Sequence, residues 1–293
     1  MCGRTACTLD KNGIQLATCK YSRNNENLQW IQKYDWQNYH PNYNISPSQI
    51  SPVIVNGSTF SANDTDNLVL TPMRWGLIPS WYRGTLQECP LKNNNCRQEG
   101  LLEKPTFKGA AKAGRRCIVL ADGFYEWKAT DSKHKQPYFI YFPQEEGPDV
   151  FTRDPETFNQ GGEWKGPQLL TMAGLFDVWK GPQNECIYSY SVITLDSSKS
   201  FAKIHERMPA ILTGKDEVSM WLDTNRVPTK DAMSLVKPVE NLQMHKVPTL
   251  VNFSRNNSVD LIKPLQESES KPPLKHTGLT SWLIKIQRNS LSE

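Results

Sequence analysis

The 293-residue sequence has no C-x-x-C pair and no histidines at zinc-finger spacing, although it carries seven cysteines. That spacing argues against a structural zinc site, and an odd number of cysteines argues against a disulfide framework. In a reducing compartment the cysteines are expected to be free thiols, most of them small buried apolar groups. No apolar run approaches the roughly 20 residues that span a bilayer, and Met1-Cys-Gly-Arg-Thr-Ala-Cys is not a basic segment followed by an apolar one, so neither a membrane span nor a secretory leader is expected. Without such a leader, the Asn-x-Ser/Thr patterns at Asn56, Asn63, Asn252 and Asn256 are read as chance. The sequence also lacks internal repeats and a long basic run. Its net charge is only +4, so affinity for a polyanion would require basic side chains gathered on one face.

Large apolar side chains are plentiful, with 9 Trp, 10 Tyr and 10 Phe, and the chain can fold on its own core. Short apolar runs bounded by turn residues recur up to about residue 262: Ser51 to Val55, Asn67 to Leu70, Cys117 to Ala121, Tyr138 to Phe142 and Tyr188 to Leu195. These read as strands. Helical patterning is scarcer, confined to Lys215 to Leu222 and Thr229 to Val236, with Thr229 as a candidate N-cap. The expected fold class is α+β, a single strand-dominated domain over residues 2–262, followed by a short disordered tail over 263–293. The stretch from Pro143 to Gln168 is acidic, rich in Gly and Pro and poor in aliphatic residues, and reads as a surface insertion between strands.

Cys2 is the sharpest chemical signal. Aminopeptidases remove Met1 when the next side chain is small, which leaves an α-amine and a thiol on one residue. An α-amine with a pKa of about 7.7 to 8.0 is partly neutral at cytosolic pH and can attack an aldehyde to give an imine. The neighbouring thiol can then close a five-membered thiazolidine, an intramolecular step favoured over attack by a separate thiol. Glu126, among aromatics in Gly123-Phe-Tyr-Glu-Trp, suits general acid or base work. His205, one of five histidines, lies between charged residues and an apolar run and can move protons near neutral pH. Basic residues recur beside aromatics: Arg4, Arg74 with Trp75, Trp81 and Tyr82, Arg97, and then Lys108, Lys112, Arg115 and Arg116. Such interleaving suits single-stranded DNA, because cations neutralise phosphates while exposed rings stack on bases.

Met-Cys-Gly-Arg at the start, Pro72-Met-Arg-Trp-Gly-Leu-Ile-Pro-Ser-Trp, Asn95-Cys-Arg, Gly114-Arg-Arg-Cys, Ala121-Asp-Gly-Phe-Tyr-Glu-Trp, Thr171-Met-Ala-Gly-Leu and Ile204-His-Glu-Arg-Met-Pro-Ala-Ile-Leu occur in that order. Together they resemble the SOS response-associated peptidase family, in particular its eukaryotic branch that processes abasic sites. The resemblance implies a β-barrel-like core with a basic groove for single-stranded DNA carrying abasic sites, and covalent capture of the lesion by Cys2 without a cofactor or metal. It also implies that Asn95 holds the terminus or the sugar and that Arg97 meets a phosphate. Glu126 and His205 would handle protons, while Arg4, Arg74, Trp81 and Trp127 would line the groove. Work at replication forks in the nucleus follows from the same resemblance. The family's name keeps a cysteine (auto)peptidase open, with His205 as the base of Cys2. A non-covalent reader of modified cytosine is a third reading. In the tail, Leu279, Trp282 and Leu283 have the apolar spacing of a sliding-clamp-binding segment, with His276 where glutamine is expected.

Overall fold

Continuous apolar runs build the core, as expected for strands buried on both faces. The computed structural model describes residues 3–31, 39–61, 67–89, 93–153, 158–160, 163–183 and 185–266. Cys2 and the tail residues His276, Leu279, Trp282 and Leu283 lie outside the described residues.

The described strands begin with β1 (Thr5–Cys7), β2 (Gln29–Trp30), β3 (Asn42–Ile45), β4 (Ile50–Asn56), β5 (Leu68–Trp75), β6 (Asn95–Arg97), β7 (Arg116–Ala121) and β8 (Gly123–Ala129). They continue with β9 (Lys135–Tyr141), β10 (Asn159–Gln160), β11 (Glu163–Trp164), β12 (Leu170–Lys180), β13 (Cys186–Asp196), β14 (Arg207–Pro209) and β15 (Gln243–Lys246). Strands β5, β4, β7, β12 and β13 pair antiparallel in that order. The ring closes where β13 meets β5 in parallel, Ser189 opposite Arg74 and Tyr190 opposite Trp75. This closed five-stranded barrel is the strand-rich core expected from the sequence. Trp75 stacks on Tyr190 with ring centroids 6.3 Å apart. Trp75 is therefore a core side chain, which corrects its placement among the DNA-facing aromatics.

A second sheet, ordered β15-β9-β8-β1-β3, lies beside the barrel. The chain passes from β7 into β8 through a single residue, Asp122, whose N–H donates to Ala6 O at 2.7 Å. Its Oδ2 accepts the Thr8 N–H at 2.8 Å, so Asp122 grips β1 on both sides of Cys7. Gly123 follows because nothing larger fits: a Cβ there would meet Ile140 O at 2.6 Å and the Phe139 ring at 2.4 Å.

Among the described residues, four α-helices pack around the sheets. α1 (Lys11–Thr18), unexpected from the sequence because Gly13 interrupts its pattern, starts where Asp10 caps the Gly13 N–H at 2.7 Å. α2 (Pro105–Lys112) has its proline in the first turn, where the missing N–H costs nothing. α3 (Lys215–Leu222) has Asp216 and Glu217 in its first turn, matching the helix dipole. α4 is a single turn, Thr229–Ala232, and its N-cap is Pro228, not Thr229 as expected. The Thr229 hydroxyl instead donates to Ala111 O at 2.7 Å. The 143–168 insertion does lie between β9 and β12, but it is anchored: Val150, Phe151 and Phe158 are buried, and Phe151 meets Phe139 and Tyr141 edge-on.

Asp122 is fully buried, and desolvation raises its carboxyl to about 7 against the lowering effect of the Thr8 hydrogen bonds. A carboxyl raised on folding binds protons that the unfolded chain has already released. Its stabilising contribution is complete below the unfolded value near 4 and disappears as pH rises through 7. Asp122→Asn removes that titration. Its melting temperature relative to the parent chain is expected to rise between about pH 4 and 7 and to level off above that, and a difference independent of pH would contradict the assignment.

Candidate nucleic-acid and aldehyde site

The start of the chain is held by sheet pairing. Thr5 lies opposite Phe124 and Ala6 opposite Gly123, and the Tyr125 N–H donates to Arg4 O at 2.9 Å. β1 therefore runs antiparallel to β8 and brings Gly3 toward Glu126. The Arg4 guanidinium points inward, where Nη1 donates to Asn44 Oδ1 at 2.7 Å and to Val251 O at 2.9 Å. Burial lowers its pKa, partly offset by Tyr125. Asn44, itself buried, donates through Nδ2 to Val251 O, Phe253 O and Asn256 O. Trp127 Nε1 donates to Asn252 Oδ1 at 2.7 Å. The turn from Thr249 to Asn256 is thus bolted to β1, β3 and β8, a role of Asn44 and Asn252 that no sequence signal revealed.

Glu126 is only 4% exposed, and its Oε1 accepts the Trp127 N–H at 3.2 Å. Two residues earlier on the same face of β8, the Phe124 ring lies 5.7 Å from that of Phe201. Phe201 O accepts the His205 N–H at 3.3 Å, which joins the Glu126 strand to the turn that carries His205. His205 Nδ1 accepts the Arg207 N–H at 3.0 Å. The neutral ring therefore carries its proton on Nε2. Arg207 is buried and holds this corner: its guanidinium donates to Glu99 and Asp196 carboxylates and to Thr194 O. The motif Ile204-His-Glu-Arg contains Arg207, but nothing in the sequence singles the residue out.

Asn95 starts β6 opposite Val192, placed by Asn94, whose carbonyl accepts both the Val192 N–H and Trp75 Nε1 at 3.0 Å. Arg97, further along β6 and opposite Thr194, is exposed. Thr194 also pairs with Pro209 of β14, so β13 carries Asn95 and Arg97 along one side and β14, which follows His205, along the other. Arg74 donates to Ser48 Oγ at 2.8 Å and to Gly76 O at 3.2 Å. Gly76 sits at φ +109°, and a Cβ there would come within 3.4 Å of the Arg74 guanidinium and 3.3 Å of Asn94 Oδ1. Trp81 is half exposed and donates Nε1 to Pro105 O, near the start of α2.

Two cations expected to meet phosphate have other partners. Arg116 is buried, donating to Trp221 O, Asp223 O, Val227 O and Thr229 Oγ1, and desolvation lowers its pKa to about 10. Arg115 is paired with the buried Asp177. Lys108 and Lys112 on α2 are exposed. Of the described thiols, Cys7, Cys96 and Cys117 are buried, while Cys19, Cys89 and Cys186 are half-buried. Burial raises Cys7 and Cys117 well above the ordinary thiol value and Cys96 to about 12, so these three are poor nucleophiles at neutral pH.

The chain matches the model of the SOS response associated peptidase (SRAP) family over residues 1–254. It is 43% identical to the abasic site processing protein HMCES of Xenopus tropicalis, over 99% of this chain and 86% of that one. Identity to the abasic site processing protein YoqW of Bacillus subtilis is 34%, over 77% of this chain and 87% of that one. A crystal structure of a protein from Bacteroides thetaiotaomicron shares the fold, with a TM-score of 0.68 at 22% identity, covering 90% of this chain and all of that one. Ordered motifs, barrel and near-full-length matches agree, and the chain belongs to the SOS response associated peptidase family.

Proposed function

We propose that the chain processes abasic sites in single-stranded DNA by forming a covalent crosslink from Cys2. The observation that carries this reading is the β1–β8 pairing, which brings Gly3 toward buried Glu126. Cys2 is bonded to Gly3, and consecutive Cα atoms are about 3.8 Å apart. Glu126 takes a proton from the sugar hydroxyl as the closed abasic sugar opens to its aldehyde, while the ring oxygen, to which His205 Nε2–H donates a hydrogen bond, takes its proton from solvent water. The Cys2 α-amine adds to the aldehyde and water leaves, giving the imine. The Cys2 thiol then adds across the C=N bond, its proton passing to nitrogen, and the thiazolidine closes with no change in oxidation state. Asn95 holds the terminus or sugar, Arg97 a phosphate, and Arg4, Arg74, Trp81 and Trp127 shape the groove. Shielding such a lesion from strand cleavage suits replication forks in the nucleus.

The test is denaturing electrophoresis after incubation with an abasic oligonucleotide. Wild type is expected to give a covalent band, and Glu126→Gln to form it more slowly, by roughly 100-fold or more, with unchanged affinity for intact single strands. Repeated turnover of a peptide without DNA, and no band, would favour a peptidase instead.

A further inference from the structure

Five large apolar side chains are exposed among the described residues, and two of them, Leu250 at 50% and Phe253 at 68%, share one short turn. Phe253 is the most exposed of the five. The turn is not loose. Phe253 N donates to Leu250 O, Asn256 N to Phe253 O, and Asn256 Nδ2 to Leu250 O at 2.8 Å. From below, Arg4 and Asn44 hold Val251 O, Asn44 holds Phe253 O, and Trp127 Nε1 holds Asn252. Val251 is buried and fastens the turn to the core. A benzene ring is thus kept in water by a backbone with its hydrogen bonds made, and the same bonds reach Arg4 on one side of the site and Trp127 on the other.

The electrostatics identify the kind of partner. From Asn241 to Val259 there is no acidic residue, while Lys246 and Arg255 are exposed. Lys128, half-buried, follows Trp127 on β8. An apolar ring on a segment that carries cations and no acids matches a polyanion with flat apolar faces, and a nucleic acid is that polymer. A strand with one base missing has a further property: the base beside the gap has lost a stacking neighbour and exposes a bare face.

We propose that Leu250 and Phe253 form a stacking lip for the base adjacent to the abasic position, with Phe253 covering the face left bare by the missing base. This rests on the abasic-site reading and adds a specificity element to it: lesions flanked by a purine, with its larger face, bind more tightly than those flanked by a pyrimidine.

The experiment uses the full chain and oligonucleotides containing a tetrahydrofuran abasic analogue, which has no aldehyde and cannot crosslink, with binding followed by fluorescence anisotropy. The base on the 5′ or 3′ side of the analogue is a purine or is itself removed. Phe253→Ala is expected to weaken binding roughly 5- to 150-fold when the purine is present, the range given by one lost base stack. The loss vanishes when the flanking base on one side is absent, and Phe253→Trp restores binding. Met220→Ala, which removes an exposed apolar side chain on α3, leaves binding unchanged. Binding by Phe253→Ala equal to wild type, as expected if the turn docks a protein instead, overturns the proposal, as does a loss independent of both flanking bases. Crosslinking of a natural abasic site by wild type is scored separately. If it is absent while the flanking-base dependence persists, the capture chemistry falls and the lip stands. If it is present without that dependence, the lip falls.

Discussion

Cys2→Ala is expected to abolish the stable crosslink while leaving an imine that borohydride can trap. Alanine is also small enough for Met1 removal, so the variant keeps a free α-amine and loses only the thiol. The amine still condenses with the sugar aldehyde, but without sulfur the imine stays open to water and hydrolyses. Intramolecular closure contributes effective concentrations far beyond any free thiol, so added cysteamine or glutathione is not expected to rescue the adduct to a comparable extent. Placing one extra residue ahead of Cys2 has a related consequence: the amine moves away from the thiol, the five-membered ring cannot close and the thiazolidine is lost. Stable adducts of undiminished yield from either variant, measured on denaturing gels with and without borohydride, would refute capture by an aminothiol. The buried thiols at Cys7, Cys96 and Cys117 offer no substitute nucleophile at neutral pH.

The second large effect concerns stability. Arg116→Met leaves the carbonyls of Trp221, Asp223 and Val227 and the Thr229 hydroxyl without their charged donor. Methionine restores volume but no hydrogen bond. Uncompensated buried acceptors cost about 1 to 3 kcal/mol each, reduced by local relaxation, and a total loss of about 3 to 5 kcal/mol is expected. For a chain of this size each kcal/mol moves the melting temperature by about 2 to 4 °C, giving a fall of roughly 10 °C. The salt dependence of DNA binding should not change, since this guanidinium meets no phosphate. An unchanged melting temperature together with a shallower salt slope would return Arg116 to the groove.

Arg116 also marks where sequence reading stops. Its neighbours Arg115 and Lys112 are charged as well, and only the approach of α3 and the Thr224 to Thr229 segment turns one member of the run into an internal strut. Trp75 and Trp81 present the same problem, since both stand near Arg74, yet one is a core ring and the other half in water. The barrel strands were legible because burial on both faces leaves continuous runs such as Cys117 to Ala121. Barrel closure was implied by the family resemblance alone, since it depends on two residue pairs between β5 and β13, remote in sequence. Glu126 and His205 stood out by residue type, and the structure links their elements through Phe124 and Phe201. The 249–256 turn carries no motif; its importance comes from Asn44 and Arg4, which reach it across more than 200 positions of chain.

The central claim is that an amine and a thiol on the first residue of the processed chain trap a sugar aldehyde together. Peptide mass mapping after reaction with an abasic oligonucleotide and nuclease trimming tests it most directly. The account predicts an N-terminal peptide that has lost Met1 and carries one sugar-phosphate remnant at Cys2, stable without reductant. A reactive chain that still retains Met1, or a remnant found on a lysine, would contradict it.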